Sequence, residues 1–229
     1  MRGHFELRED GAGEVVDVVP EDPVGRAWVW HGYGQAVRET LGALVTLAGL
    51  GFAARARDLP GHGRHPGRLE LETVERALDD AQGWLRGAER RLVVGFSLGG
   101  RLALRTGQGP CVTVSAPAVP TFEGPRDELW RELSPHRVRE GRPFAGLESV
   151  LAAWGDRWEP SGPTLAIHGA RDLESVRRWA PDQQQHPGTR CVRIARANHA
   201  GAWHDPRTWQ AVAAWVREGF PSGGETTWP

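Results

Sequence analysis

Apolar positions in this chain follow two alternating rhythms. Short continuous apolar runs occupy residues 14–19, 26–30, 52–57, 91–96, 111–115, 164–168 and 191–194, and predict strands. Between them, apolar residues recur every three or four positions. Val37, Leu41, Leu44 and Ala48 mark one helix, stopped by Gly49 and Gly51. Val74, Leu78, Ala81 and Leu85 mark a second, and residues 98–106 a third. Trp209, Val212 and Val216 line a last helix that opens with Asp205 as N-cap and Pro206 in its first turn. Unbroken apolar strands alternating with helices predict an α/β fold whose mostly parallel sheet is covered on both faces. Residues 1–229 read as one domain. Residues 117–163 break the rhythm with charged, partly helical segments around Trp130, Trp154 and Trp158, and are expected to form a short cap inserted over the sheet edge. They are too few and too polar to build a core alone. The tail from Pro221 is expected to fray.

Charge and composition exclude several classes. A net charge of -1 leaves no electrostatic footprint for nucleic acid. Cys111 and Cys191 sit in strand-like runs and read as two buried thiols, not as a disulfide framework. No Cys or His pair has the usual zinc-ligand spacing, so no metal is expected. The first ten residues are charged and do not read as a secretory signal. The most apolar window, 43–54, is too short and glycine-broken to span a bilayer. The expectation is a cytoplasmic protein with neither membrane nor nucleic-acid partner.

The sharpest chemical signal is Val93-Val94-Gly95-Phe96-Ser97-Leu98-Gly99-Gly100, which fits G-x-S-x-G between a strand and a helix. A serine at such a tight turn is lifted to the end of the sheet. The flanking glycines allow close backbone approach, and the helix N-terminus favours developing negative charge. Ser97 is the candidate nucleophile.

An earlier strand runs into His31-Gly32-Tyr33-Gly34, and the next ends in Asp58-Leu59-Pro60-Gly61-His62-Gly63. With the serine motif, these loops give a chain that resembles the α/β-hydrolase superfamily, closest to its small esterase-like members. The resemblance covers nearly the whole chain apart from residues 117–163. It implies an oxyanion hole made by the backbone N–H groups of Tyr33 and Leu98. His31 and His62 read as loop-bracing histidines, and the 58–63 loop as shaping the fold.

A serine hydroxyl needs a base within hydrogen-bond reach and an acid to orient that base. In this superfamily they follow the nucleophile in the order acid, then histidine, on later strands. Ala166-Ile167-His168-Gly169-Ala170-Arg171-Asp172 is a strand leading into a turn that carries an acid, so the resemblance implies Asp172; Glu174 and Asp156 are the substitutes. Ile194-Ala195-Arg196-Ala197-Asn198-His199 leads the last strand into a small-residue loop, and His199 matches the superfamily's catalytic histidine. Asn198 departs from the glycine often found before that histidine. His204, just before Asp205-Pro206, is a second candidate ring.

Three such groups predict acyl transfer through Ser97, with no cofactor. Phe96, Trp130, Trp154 and Trp203 are the expected substrate-binding residues, suited to a small-molecule ester or related acyl substrate with a hydrophobic part. Arg126, Arg131, Arg137 and Arg139 are candidates for an anion clamp. Two rival readings stay open. One is a cofactor-free lyase or perhydrolase using the same three residues, since fold does not fix function. The other is a non-catalytic ligand-binding member.

Overall fold

Alternation along each strand sends neighbouring side chains to opposite faces of the sheet, and that builds two cores. The chain is described here in a computed structural model covering residues 3–107, 109–117, 138–140, 144–155, 159–223 and 225–228. The strands are β1 (Gly3–Asp10), β2 (Gly13–Pro20), β3 (Gly25–Trp30), β4 (Phe52–Arg57), β5 (Arg91–Phe96), β6 (Cys111–Val114), β7 (Thr164–Arg171), β8 (Thr189–Asn198) and β9 (Glu225–Trp228). The helices are α1 (Leu41–Gly49), α2 (Leu71–Leu85), α3 (Leu98–Thr106), α4 (Ala145–Trp154), α5 (Glu174–Arg177), α6 (Ala180–Gln185), α7 (His199–His204) and α8 (Pro206–Arg217). A 3-10 turn, Val37–Thr40, precedes α1.

In β3, Ala27 and Val29 point to one face, where Leu44, Leu47, Val212 and Trp215 of α1 and α8 meet them. Trp28 and Trp30 point to the other, against Leu78 of α2, Leu102 of α3 and Val150 of α4. The four residues whose helical spacing marks α2 are the four that it buries. No helix among the described residues is long and apolar enough to cross a membrane.

The nine strands form one sheet in the order β1-β2-β4-β3-β5-β6-β7-β8-β9. Both β1 and β4 pair antiparallel with β2, and every other pairing is parallel. From β3 the chain moves to one side to make β4, then crosses back to place β5 on the other side. In sheets of this kind ligands bind beyond the carboxyl ends of the strands at such a reversal. Here the loops leaving β3 and β5 stand side by side, since Trp30 is in register with Gly95.

One element adds to the sequence reading and another corrects it. The charged N-terminus is a strand: β1 pairs with β2 from Gly3↔Pro20 to Asp10↔Gly13. Phe5 and Leu7 stay 55% and 41% exposed, so backbone pairing and ion pairs hold the strand, among them Arg57–Asp10 at 2.5 Å. The tail does not simply fray, because β9 extends the sheet in register with residues 191–194 of β8. The two thiols lie in the interior and no disulfide joins them. Burial pushes the Cys111 thiol up to about 12.

The 58–63 loop has a structural centre. The buried Asp58 carboxylate accepts backbone N–H bonds from Val37 (2.8 Å), Arg64 (2.8 Å) and Glu14 (3.3 Å), tying three segments together. Stranding buried donors costs about 1–3 kcal/mol each. Asp58→Ala is therefore expected to lower the urea-unfolding free energy by ~3 kcal/mol or more. A loss below about 1 kcal/mol would mean that water replaces the carboxylate freely.

Candidate active site

The turn between β5 and α3 puts Ser97 at φ 52° and ψ -118°, a backbone conformation that L-residues rarely adopt. Its neighbours leave no room for side chains. A Cβ on Gly95 would lie 1.9 Å from the Gly99 carbonyl oxygen. One on Gly99 would lie 2.3 Å from the Trp30 oxygen and 2.6 Å from that of His31. The serine turn is thus pressed against the loop leaving β3, which carries Tyr33. The Ser97 N–H donates to the Val114 carbonyl (2.9 Å), so the turn is also anchored to β6.

His199 begins α7, directly after β8. Asn198 is the N-cap, its side-chain oxygen accepting the Gly201 N–H at 2.8 Å. That role suits an asparagine at a position where the superfamily often has glycine. The His199 ring faces Phe96, with centroids 5.1 Å apart. Asp172 lies in the turn after β7, where its N–H donates to the Gly169 carbonyl (3.1 Å).

The three residues join in one chain of hydrogen bonds. The Ser97 hydroxyl lies 3.0 Å from His199 Nε2, and His199 Nδ1 lies 2.8 Å from Asp172 Oδ1. A carboxylate only accepts, so Nδ1 carries the proton and Nε2 is left to accept from the serine. Asp172 also accepts from Leu173 N–H at Oδ1 (2.9 Å), and from Gly169 N–H (3.0 Å) and the Ser115 hydroxyl (2.5 Å) at Oδ2. Burial raises the Asp172 pKa, but the hydrogen bond and charge of His199, then the Ser115 and Gly169 donors, outweigh it and hold the carboxyl below its usual range.

The other candidates divide between the surroundings of this turn and more distant places. Leu98 and Tyr33 both have buried side chains. The Tyr33 ring packs on Phe144 and His62, and its hydroxyl donates to Glu140. Burial and the Glu140 carboxylate push that phenol's pKa up. Their backbone groups are what the two residues can offer at the serine turn. Trp203 is buried behind Phe96, with ring centroids 5.4 Å apart. Trp154, at the end of α4, packs under the Arg105 guanidinium. Arg105 is eight residues past Ser97, about 12 Å along α3. Trp130, Trp158, Asp156, Arg126, Arg131 and Arg137 lie outside the described residues. Arg139 donates to the Gly63 and His65 carbonyls and braces that loop. Glu174 pairs with Arg178 on the surface (3.1 Å). His204 is exposed at the far end of α7, beside a groove of about 620 Å³ between α1 and α8. Among the described residues, no three His, Cys, Asp or Glu side chains are grouped to hold a metal ion.

Ser115 and Glu140 were missed in sequence. A serine at the end of a short strand, and one glutamate in a charged segment, carry no local pattern.

Two buried histidines brace the loops around the site. His31 Nε2 accepts the Leu59 N–H (2.9 Å), and its Nδ1 donates to the Gly32 carbonyl (2.8 Å). His62 Nδ1 donates to the Pro60 carbonyl (2.9 Å). Burial lowers His31 from 6.5 to about 4. Burial and the neighbouring His31 lower His62 from 6.5 to about 3. Both rings stay neutral when folded, while the unfolded chain protonates them below pH 6.5. Their contribution to stability is complete above that pH and drains away as pH falls toward 4 and 3. Each ring should cost about 2 kcal/mol by pH 5. Urea unfolding at pH 7.5 and 5.0 should show a loss of several kcal/mol, and equal stability at both would contradict the neutral-ring assignment.

No protein-family model matches the chain, and no curated protein matches it in sequence. Solved structures do match in shape. A 2,6-dihydroxy-pseudo-oxynicotine hydrolase superposes with a TM-score of 0.71 at 18% identity, over 99% of this chain and 72% of its own. A monoacylglycerol lipase of Paleococcus ferrophilus gives 0.67 at 16%, over 95% and 99%. A structure from work on carboxylesterases of the thaumarchaeon Nitrososphaera gargenis gives 0.65 at 13%, over 93% and 98%. At these identities the likeness is one of fold. With the observed sheet order and flanking helices, the chain has the α/β-hydrolase fold.

Proposed function

We propose that this protein is a serine hydrolase that cleaves a carboxylic ester or thioester through an acyl-enzyme. The observation that carries the reading is the unbroken path from Ser97 Oγ through His199 to a buried carboxylate. Ser97 attacks the acyl carbonyl while His199 Nε2 takes its proton. Asp172 fixes the ring's tautomer and offsets the charge of the imidazolium. The backbone N–H groups of Leu98 and Tyr33 hold the oxyanion as it forms. The imidazolium then protonates the leaving alcohol or thiol. In the second half, His199 deprotonates water, which attacks the acyl-enzyme and frees the acid.

Phe96, against the His199 ring, supports an apolar group near the reacting carbonyl. We read the 117–163 segment as a cap. Its described part reaches the site region through Glu140, which accepts from Tyr33, from the Phe144 N–H (2.8 Å) and from the Gly146 N–H (2.9 Å). A lyase acting on an acidic metabolite would need arginines converging on the site. The one described arginine among those candidates, Arg139, donates to backbone carbonyls instead.

Purified protein is expected to hydrolyse p-nitrophenyl esters across a ladder of acyl lengths. Ser97→Ala should lose roughly a million-fold in kcat while folding normally, because alanine meets the same backbone cost at that turn. His199→Ala should be similarly inactive, and His204→Ala close to wild type. A dead His204→Ala with an active His199→Ala would overturn the base assignment.

A further inference from the structure

Ser115 follows β6 and is fully buried, with φ at +53°. Glycine occupies that conformation freely, whereas serine meets a steric penalty there. Its backbone N–H is bonded to the Ile167 carbonyl (2.8 Å), which ties it to β7. The side chain therefore has little freedom, and its hydroxyl is aimed at the site. It lies 2.5 Å from Asp172 Oδ2 and 3.4 Å from the His199 carbonyl oxygen. Like His199, it donates to this carboxylate from a side chain.

The carboxylate's torsion is broad and roughly two-fold, so the plane of Asp172 is set by its partners. The Leu173 N–H and His199 Nδ1 hold Oδ1. The Gly169 N–H and Ser115 Oγ hold Oδ2. Removing the hydroxyl leaves Oδ2 with a single backbone donor from its own turn. The plane can then tilt, and the Nδ1–H bond loses its alignment.

We propose that Ser115 is a positioning residue for the reaction: its hydroxyl fixes the plane of the Asp172 carboxylate and, through it, the orientation of the His199 ring. This rests on the assignment of Ser97, His199 and Asp172 as the reacting set. The hydroxyl stays outside the proton transfers, acting through Asp172 alone.

The test uses Ser115→Gly, which removes the hydroxyl and relieves the backbone. Steady-state hydrolysis of p-nitrophenyl butyrate gives kcat and KM separately. The low-field proton resonance of the His199 Nδ1–H reports the Asp172 bond without any substrate. The expected result is a kcat lower by on the order of 10- to 100-fold, the scale of a small misplacement of a reacting group. KM should stay within about twofold, since binding is not what the hydroxyl sets. The low-field resonance should broaden or vanish, with thermal stability retained. Should the glycine variant fail to fold, Ser115→Cys keeps the shape, replaces a strong donor by a weak one, and is read the same way. A kcat near wild type with the resonance intact would overturn the proposal and leave Ser115 as packing. If wild type itself hydrolyses no ester, the hydrolase assignment fails, while the resonance still decides whether Ser115 holds the Asp172–His199 pair.

Discussion

The close approach of backbone to backbone at Gly95 and Gly99 is the constraint on which the rest of the site depends. It lets β5 turn sharply into α3, and the turn forces Ser97 into its rare conformation. The same contact presses the start of α3, which carries Leu98, against the loop leaving β3, which carries Tyr33. The reversal of the chain between β3 and β5 makes those two loops neighbours. Parallel registers through β6, β7 and β8 then deliver Ser115, Asp172 and His199 at the same edge. The candidate site is thus a consequence of strand order, with Ser97, Ser115, Asp172 and His199 each standing just beyond a strand's carboxyl end.

Electrostatics separates the histidines of this region by task. His31 and His62 are wholly buried, and desolvation keeps them neutral, so they act as fixed donors and acceptors inside loops. The His199 side chain keeps about a quarter of its surface exposed, with a carboxylate at one nitrogen and a serine at the other. Of these three rings, His199 has both a route to solvent and a partner for positive charge. Asp172 shows the complementary design: a side chain with no exposed surface, held ionised by donors on both oxygens.

Local patterns made much of this legible in the sequence. Apolar runs marked β4 and β5 to the residue, and helical spacing named the buried face of α2. The motif around Ser97 was readable because its glycines, serine and flanking elements are contiguous. The resemblance points to Asp172 and His199, and the fold sets His199 within hydrogen-bond reach of both Asp172 and Ser97. What escaped reading lacks local signal. β1 buries neither face and carries only two apolar side chains among its charges, so it has no apolar run, and β9 follows a Pro-Ser-Gly-Gly stretch that reads as loop. Trp154 looked like a pocket wall from its place in the insertion, yet α4 carries it to the far end of α3. Ser115 reaches Asp172 across 57 residues and Glu140 reaches Tyr33 across 107, separations that no periodicity encodes.

The claim that carries the account is that Ser97 is a nucleophile activated by its surroundings and is not an ordinary surface hydroxyl. The direct measurement is labelling of the folded protein with a fluorophosphonate, with the modified residue located by mass spectrometry of its peptides. The account predicts a single adduct on Ser97, formed in the native protein, absent after unfolding in urea, and strongly slowed in His199→Ala. No adduct on the native protein, or an equal rate in folded and unfolded chains, would contradict it.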